Sequence, residues 1–199
     1  MILGDKGIVL MSNKNPRLDG KLVYLEEIQP KYFQCVIDWR NNTDNNMYLN
    51  QPFKLNMELQ TKWYEDKYIK DFTQGLYVMV DKATNKPFGT IGWTDYDKVK
   101  RICIAGRLLI GEKEYRGSCQ WKEATKLVND YLYDILDVNV MYAHVVIQNI
   151  ASRKWHKKWG YEESDLFVFP DEQFVNGMEQ IEYKREKNTY MRIIHISRG

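Results

Sequence analysis

The stretch from Gly106 to Tyr161 constrains the fold most. An apolar run, Leu108-Leu109-Ile110, leads through a polar loop, Tyr115-Arg116-Gly117-Ser118-Cys119-Gln120, into a long amphipathic helix beginning near Trp121. A second strand, Tyr142 to Ile147, ends at Asn149-Ile150-Ala151-Ser152, and a further helix runs to Gly160-Tyr161. A strand feeding a loop that opens onto a helix N-terminus is a place to hold phosphate: the first helical N–H groups are unpaired and the helix dipole favours anions. Two such units in a row imply an extended, phosphate-bearing ligand laid across their ends. The long helical crossover makes the two strands parallel, with the helix on one face of the sheet.

The elements before this unit are simpler to place. Lys21 to Leu25 reads as a strand, and Pro30 starts a helix carrying Phe33, Val36 and Ile37 at helical spacing. The Asn41 to Asn46 cluster reads as a loop, and a second helix is expected from about Met57 to Ile69. Gly75 to Val80, Phe88 to Asp95 and Ile102 to Ile110 form an antiparallel meander, since short turns cannot make parallel crossovers. The helix after the polar loop has a core-facing stripe of Trp121, Ala124, Leu127, Val128, Tyr131, Leu132 and Ile135. The later helix places Ala151, Trp155 and Trp159 on one side, and Gly160 is a natural stop. Leu166 to Phe169 and Met178 to Lys184 read as a closing hairpin. The tail, with Met191, Ile193, Ile194 and Ile196, is expected to add a strand or cover an interface. The expected fold class is α/β (α+β): a mixed, twisted sheet of about seven strands flanked by about four helices. The expected organisation is a leader at 1–19, one domain at 20–187 and a tail at 188–199.

Composition narrows the partners. The chain of 199 residues has a net charge of +2 with the charges interspersed, which argues against nucleic acid and against an anionic membrane surface. Its three cysteines, Cys35, Cys103 and Cys119, lack metal-ligand spacing and suit a reduced, cytoplasmic setting without a metal. No stretch approaches the roughly 20 apolar residues of a membrane span.

Two strings at this separation, after this meander, carry a family resemblance. They are Ile110-Gly111-Glu112-Lys113-Glu114-Tyr115-Arg116-Gly117 and Asn149-Ile150-Ala151-Ser152 through Lys158-Trp159-Gly160-Tyr161. Over residues 20–185 the chain resembles the GNAT superfamily of acetyl-CoA-dependent N-acetyltransferases. The resemblance implies that the fourth and fifth strands of the family fold splay apart and that acetyl-pantetheine lies in the gap. Backbone groups of Leu108, Leu109 and Ile110 would pair with it as an added strand. The loop amides of Arg116, Gly117, Ser118, Cys119, Gln120 and Trp121 would hold the pyrophosphate, and Asn149 and Ser152 would help hold the coenzyme arm. Read from the residues alone, Asn149 and Ser152 cap a helix.

Two departures bear on the site. The family pattern Arg/Gln-x-x-Gly-x-Gly/Ala meets Cys119 and Trp121 at its two small positions. A side chain where backbone must approach phosphate is expected to crowd the coenzyme, unless Trp121 swings outward into the core. The second departure is His156, which stands where many relatives have a tyrosine that protonates the departing thiolate. An imidazole suits this task because it titrates near working pH. Without that resemblance His156 reads as a surface residue among lysines. No carboxylate occupies the strand at Ile102 to Gly106, so Asp95, Asp97 and His144 are the candidates for a base.

Trp39-Arg40-Asn41, the Asn-rich loop and Lys62-Trp63-Tyr64 resemble the subgroup that acetylates amino groups of nucleotide-linked sugars, of the pseudaminic-acid pathway type. In that reading Arg40 and Asn41 hold phosphate or hydroxyls and Trp39 stacks on a ring. Alternatively Trp39 is core and Arg40 a surface ion pair. The same architecture serves acetylation of protein N-termini, including ribosomal proteins, of polyamines and of aminoglycoside-like antibiotics. The expected partners are a small-molecule amine and, in assembly, a second copy of the chain as a homodimer. The competing class is a binding module whose crowded loop has lost acetyl-CoA.

Overall fold

The structure, a computed structural model, describes residues 14–49, 51, 53–167 and 178–196. The leader before residue 14, the end of the expected hairpin strand at Phe169 and the last three residues of the tail lie outside the described residues. The elements run β1 (Leu18–Asp19), β2 (Val23–Glu27), α1 (Phe33–Asn41), α2 (Thr43–Asn46), α3 (Met57–Trp63), β3 (Gly75–Asp81), β4 (Pro87–Asp97) and β5 (Ile102–Ile110). They continue with α4 (Cys119–Asp130), β6 (Val140–Val146), α5 (Ile150–Lys158), β7 (Glu162–Phe167), β8 (Gln180–Glu186) and α6 (Lys187–Ile196). Eight strands form one sheet in the order β1-β2-β3-β4-β5-β6-β8-β7. β5 and β6 are parallel, as the long crossover requires, and the other neighbours pair antiparallel.

Both faces of the sheet are covered, which is why every residue of β3 is buried. Successive side chains alternate across a strand. Tyr77 and Met79 join Ala124, Val128 and Leu132 from α4 and the turn that follows it. Leu76, Val78 and Val80 join Phe33, Val36, Ile37 and Trp39 of α1 on the opposite face.

Where the structure adds to or departs from the sequence reading, local chemistry gives the reason. The extra strand, β1, is a two-residue bridge to β2, too short to show alternation. The expected Asn-rich loop contains α2, nucleated when the Asn42 side chain accepts from Asp44 N at 2.9 Å. α4 continues into a π-helical turn, Tyr131–Ile135, whose wider winding throws Ile135 out of the apolar stripe to 70% exposure. The tail is a helix, α6, with Tyr190 and Ile194 buried one turn apart.

Two backbone features open the site. Thr90 pairs with Leu109 and Gly92 with Gly106, so Arg107 and Leu108 face Ile91 alone: a β-bulge. Arg107 sits there at φ +52°, the left-handed region that costs a non-glycine residue energy. The second feature is that β5 and β6 pair only through Ile102–Val140, Cys103–Met141 and Ile104–Tyr142. Beyond them the strands part.

Candidate active site

The gap between β5 and β6 is a cavity of about 540 Å³. Ala105 to Ile110 form one side and Ala143 to Val146 the other, with α4 and α5 flanking. Leu108, Leu109, Ile110, Arg116, Trp121, Asn149, Ser152 and His156 all line it. The parting leaves the β5 backbone without a strand partner on its β6 side from Ala105 onward.

At the mouth, the turn into α4 is set by Tyr115, which stacks on Phe88 at 4.3 Å, and by Gly117 at φ +74°. Ser118 caps the helix, its hydroxyl accepting from Trp121 N at 3.1 Å. Among the described residues no protein acceptor meets the amides of Gly117, Cys119 and Gln120. No atom lies within 4 Å of where a Gly117 Cβ would stand. The side chains of Ser118, Cys119 and Gln120 are not on the cavity wall. Gln120 turns away to donate to Asp81 at 3.2 Å, and Cys119 is exposed. Arg116 reaches across the rim to Asn45 at 2.7 Å.

Trp121 does not swing out of the cavity. It packs against the core and stacks on Trp155 of α5, with ring centroids 3.9 Å apart and planes 18° apart. Its indole N–H is buried without an acceptor. The two indoles therefore form a wall where α4 faces α5.

On α5, Asn149 caps the helix by accepting from Ser152 N at 3.1 Å, so the capping reading holds for its side chain, which still faces the cavity. His156 Nδ1 lies 2.8 Å from the Ser152 carbonyl. A carbonyl only accepts, so Nδ1 carries the proton and Nε2 keeps a lone pair. The ring is wedged against Tyr161 at 5.1 Å and Tyr183 at 5.5 Å. Burial, and then the Arg185 guanidinium, hold its pKa below the ordinary 6.5, with the Ser152 bond opposing them. The lowered pKa favours the neutral imidazole over the protonated acid expected from the sequence. Arg185 is itself buried, bonded to Tyr133, Asn129 and the Trp159 carbonyl rather than to a carboxylate.

Of the candidate bases, His144 lines the cavity, with Nε2 3.1 Å from Glu182. Asp95 and Asp97 do not. They lie at the end of β4 that pairs with Ile102, where β5 and β6 are still joined.

A second cavity of about 410 Å³ lies between α1, α3 and the sheet, and shares Arg107 with the first. Arg40 lines it; Trp39 and Asn41 do not. Trp39 is a core residue, 5% exposed, with its indole bonded to Glu112 at 2.9 Å and its ring against Gly111. Asn41 is spent on the backbone of Leu55, donating to its carbonyl and accepting from its amide at 2.8 Å each. The expected stacking and hydroxyl-binding roles of Trp39 and Asn41 are thus corrected. The aromatic rings on the wall of this cavity belong to Phe53 and Trp63. Arg107 and Gln60, also on its wall, were not singled out from sequence: an arginine inside an apolar run and a lone glutamine carry no motif.

Among the described residues no group of three or more His, Cys, Asp or Glu could hold a metal ion, and no helix is long and apolar enough to cross a membrane.

A family model described as Acetyltransferase (GNAT) domain matches residues 23–162. Comparison with curated protein sequences gives no match. Among solved structures, the fold is similar to spermidine N-acetyltransferase from Vibrio cholerae in complex with CoA and spermine. The TM-score is 0.73 at 19% identity, over 85% of this chain and 98% of that one. It is also similar to a GCN5-related N-acetyltransferase from Brucella melitensis, with a TM-score of 0.76 at 16% identity over 90% and 82% of the two chains. At these identities the likeness is one of fold.

Proposed function

We propose, for a chain that belongs to the GNAT family of acetyltransferases and is an N-acetyltransferase, that acetyl-CoA binds in the β5–β6 cleft and that the acceptor amine of a small molecule enters through the cavity carrying Arg40. The observation that supports this reading most is the parting of β5 from β6 after Ile104 and Tyr142. It leaves an unpaired strand edge leading to the unpaired amides at the start of α4. An amide-bearing arm fits the edge and a pyrophosphate fits the helix start. The open space at Gly117 suits such an approach, while the Trp121–Trp155 wall narrows it.

Bound acetyl-CoA supplies an activated acyl group for direct attack by the amine. The residues of the chain then have three tasks. The β5 backbone and the α4 turn orient the thioester. Asn149 and Ser152 fix the start of α5 and, through the Ser152 carbonyl, the tautomer of His156. His156, neutral at rest, accepts the amine proton at Nε2 and returns it to the departing sulfur. This relay replaces the role of pre-formed acid.

The acceptor we favour is an amino-sugar nucleotide, supported by Arg40 in the second cavity. Acetylation of a polyamine or a protein N-terminus is the alternative. Calorimetric titration with acetyl-CoA, followed by thiol release with UDP- and TDP-linked amino sugars, spermine and peptides, tests both parts. Saturating binding should also raise thermal stability by about 2.7 kcal/mol at a hundredfold excess over Kd. Absence of acetyl-CoA binding would overturn the assignment of the β5–β6 cleft as the coenzyme site.

A further inference from the structure

The second cavity contains more hydrogen-bond donors than protein acceptors to meet them. Arg40 donates through Nε to Gln51 at 2.7 Å, and Arg107 donates to Gln74. Both acceptors are neutral amides, and among the described residues neither arginine makes an ion pair. Arg107 Nε and Gln60 Nε2 are buried with no acceptor at all. The lining carries four cationic side chains, Arg40, Arg107, Lys62 and Lys67, against one carboxylate, Asp66. That carboxylate is already engaged by Lys62 at 2.8 Å and Lys70 at 3.6 Å.

Leaving a buried donor unpaired is costly, and leaving a buried charge unpaired is more so. Here both occur in one cavity, and apart from Gln51 and Thr90 the rest of its wall is apolar, with Val36, Phe53, Leu55, Leu59, Trp63 and Leu76. Burial holds both guanidinium groups below their ordinary pKa; the charge of Arg107 adds to the effect on Arg40, while at Arg107 the effect of burial is offset in part by Tyr68, Asp71 and Asp95. Like charges near one another in a half-buried site are relieved by an anion between them.

We infer that this cavity binds an anionic group of the acceptor itself, a carboxylate or a phosphate, held by Arg40 and Arg107 with Gln60 as a further donor. The inference rests on the acetyltransferase reading above and sharpens it. Arg107 borders both cavities, so it lies where the acceptor must meet the acetyl group. The reactive amine and the anion are therefore within one small molecule. A polyamine, bearing only cations, would face repulsion here.

The test compares binding of glucosamine, glucosamine 6-phosphate, muramic acid, UDP-glucosamine and spermine to the full chain by calorimetry, with acetyl-CoA titrated separately. At least one anionic probe should bind at least about tenfold more tightly than glucosamine, and spermine more weakly still. The phosphate-bearing and carboxylate-bearing probes separate the two sources of the anion. Arg40→Gln and Arg107→Gln should each weaken the anionic probe by about 10- to 100-fold, the range for charge-assisted hydrogen bonds. Arg40→Lys should recover part of the loss, and Arg40→Gln should leave acetyl-CoA affinity unchanged. The inference is overturned if glucosamine or spermine binds as well as every anionic probe, if no anionic probe binds, or if both glutamine variants retain the affinity. Should a variant misfold, the wild-type ranking of probes still decides. Failure of acetyl-CoA to bind would instead refute the coenzyme assignment, while the anion titrations continue to judge this cavity.

Discussion

Residue by residue, the structure changes what His156 is able to do. Its position was legible from spacing: Asn149, Ser152 and His156 share one side of α5 and one cavity wall. Its protonation state was not, because burial and a cation from β8, Arg185, enter only with the tertiary fold. The relay makes a specific pH prediction. The ratio of wild-type to His156→Phe turnover should be about 10²–10⁴ at and above neutral pH. It should fall below pH 6.5, as the imidazole approaches its lowered pKa and loses its lone pair. Taking the ratio removes the titration of the amine. A ratio that rises as pH falls would restore the role of pre-formed acid. Stability moves in the same direction. A histidine with a depressed native pKa binds fewer protons folded than unfolded, so its contribution is present above 6.5 and lost as pH falls through the window beneath. The triplet Trp39-Arg40-Asn41 shows the limits of reading one residue at a time. Adjacent helical positions diverge by about 100°, so one faces the core, one the cavity and one a neighbouring loop.

Elements near the site are held by their ends. The Asn149 cap starts α5, and Gly160 stops it at φ +79°, with Tyr161 N bonded back to the His156 carbonyl at 3.0 Å and Gly160 N to that of Lys157 at 3.0 Å. A Cβ on Gly160 would stand 2.3 Å from Ile193 of α6. Gly160→Ala should therefore cost more than the roughly 1–2 kcal/mol of left-handed backbone alone, read as a lower melting temperature. An unchanged melting temperature would mean that α6 packs against α5 less closely than described. Both the stop at Gly160 and the parallel crossover were legible, because turn chemistry and loop length act locally. The bulge at Arg107 was not, since it depends on a mismatch of register between two strands. The helical tail was missed for a related reason: Met191, Ile193, Ile194 and Ile196 satisfy both a strand and a helix pattern, and packing of Tyr190 and Ile194 decides between them.

At the scale of the whole molecule, the bulge and the parting of β5 from β6 are neighbours along one strand. β5 leaves β6 after Ile104, bulges at Arg107 against β4, and carries Arg107 into the lining of both cavities. One cavity presents a strand edge and a helix start, the other two guanidiniums that make no ion pair among the described residues, and the reaction we propose joins them. The most direct test is amide hydrogen exchange with and without saturating acetyl-CoA. The account predicts slowed exchange confined to the segment from Ala105 to Ile110 and to Gly117, Cys119 and Gln120, with β1, β2 and β3 unchanged. Protection that skips those amides, or falls instead around Arg40 and Trp63, would contradict the assignment of the β5–β6 cleft as the coenzyme site.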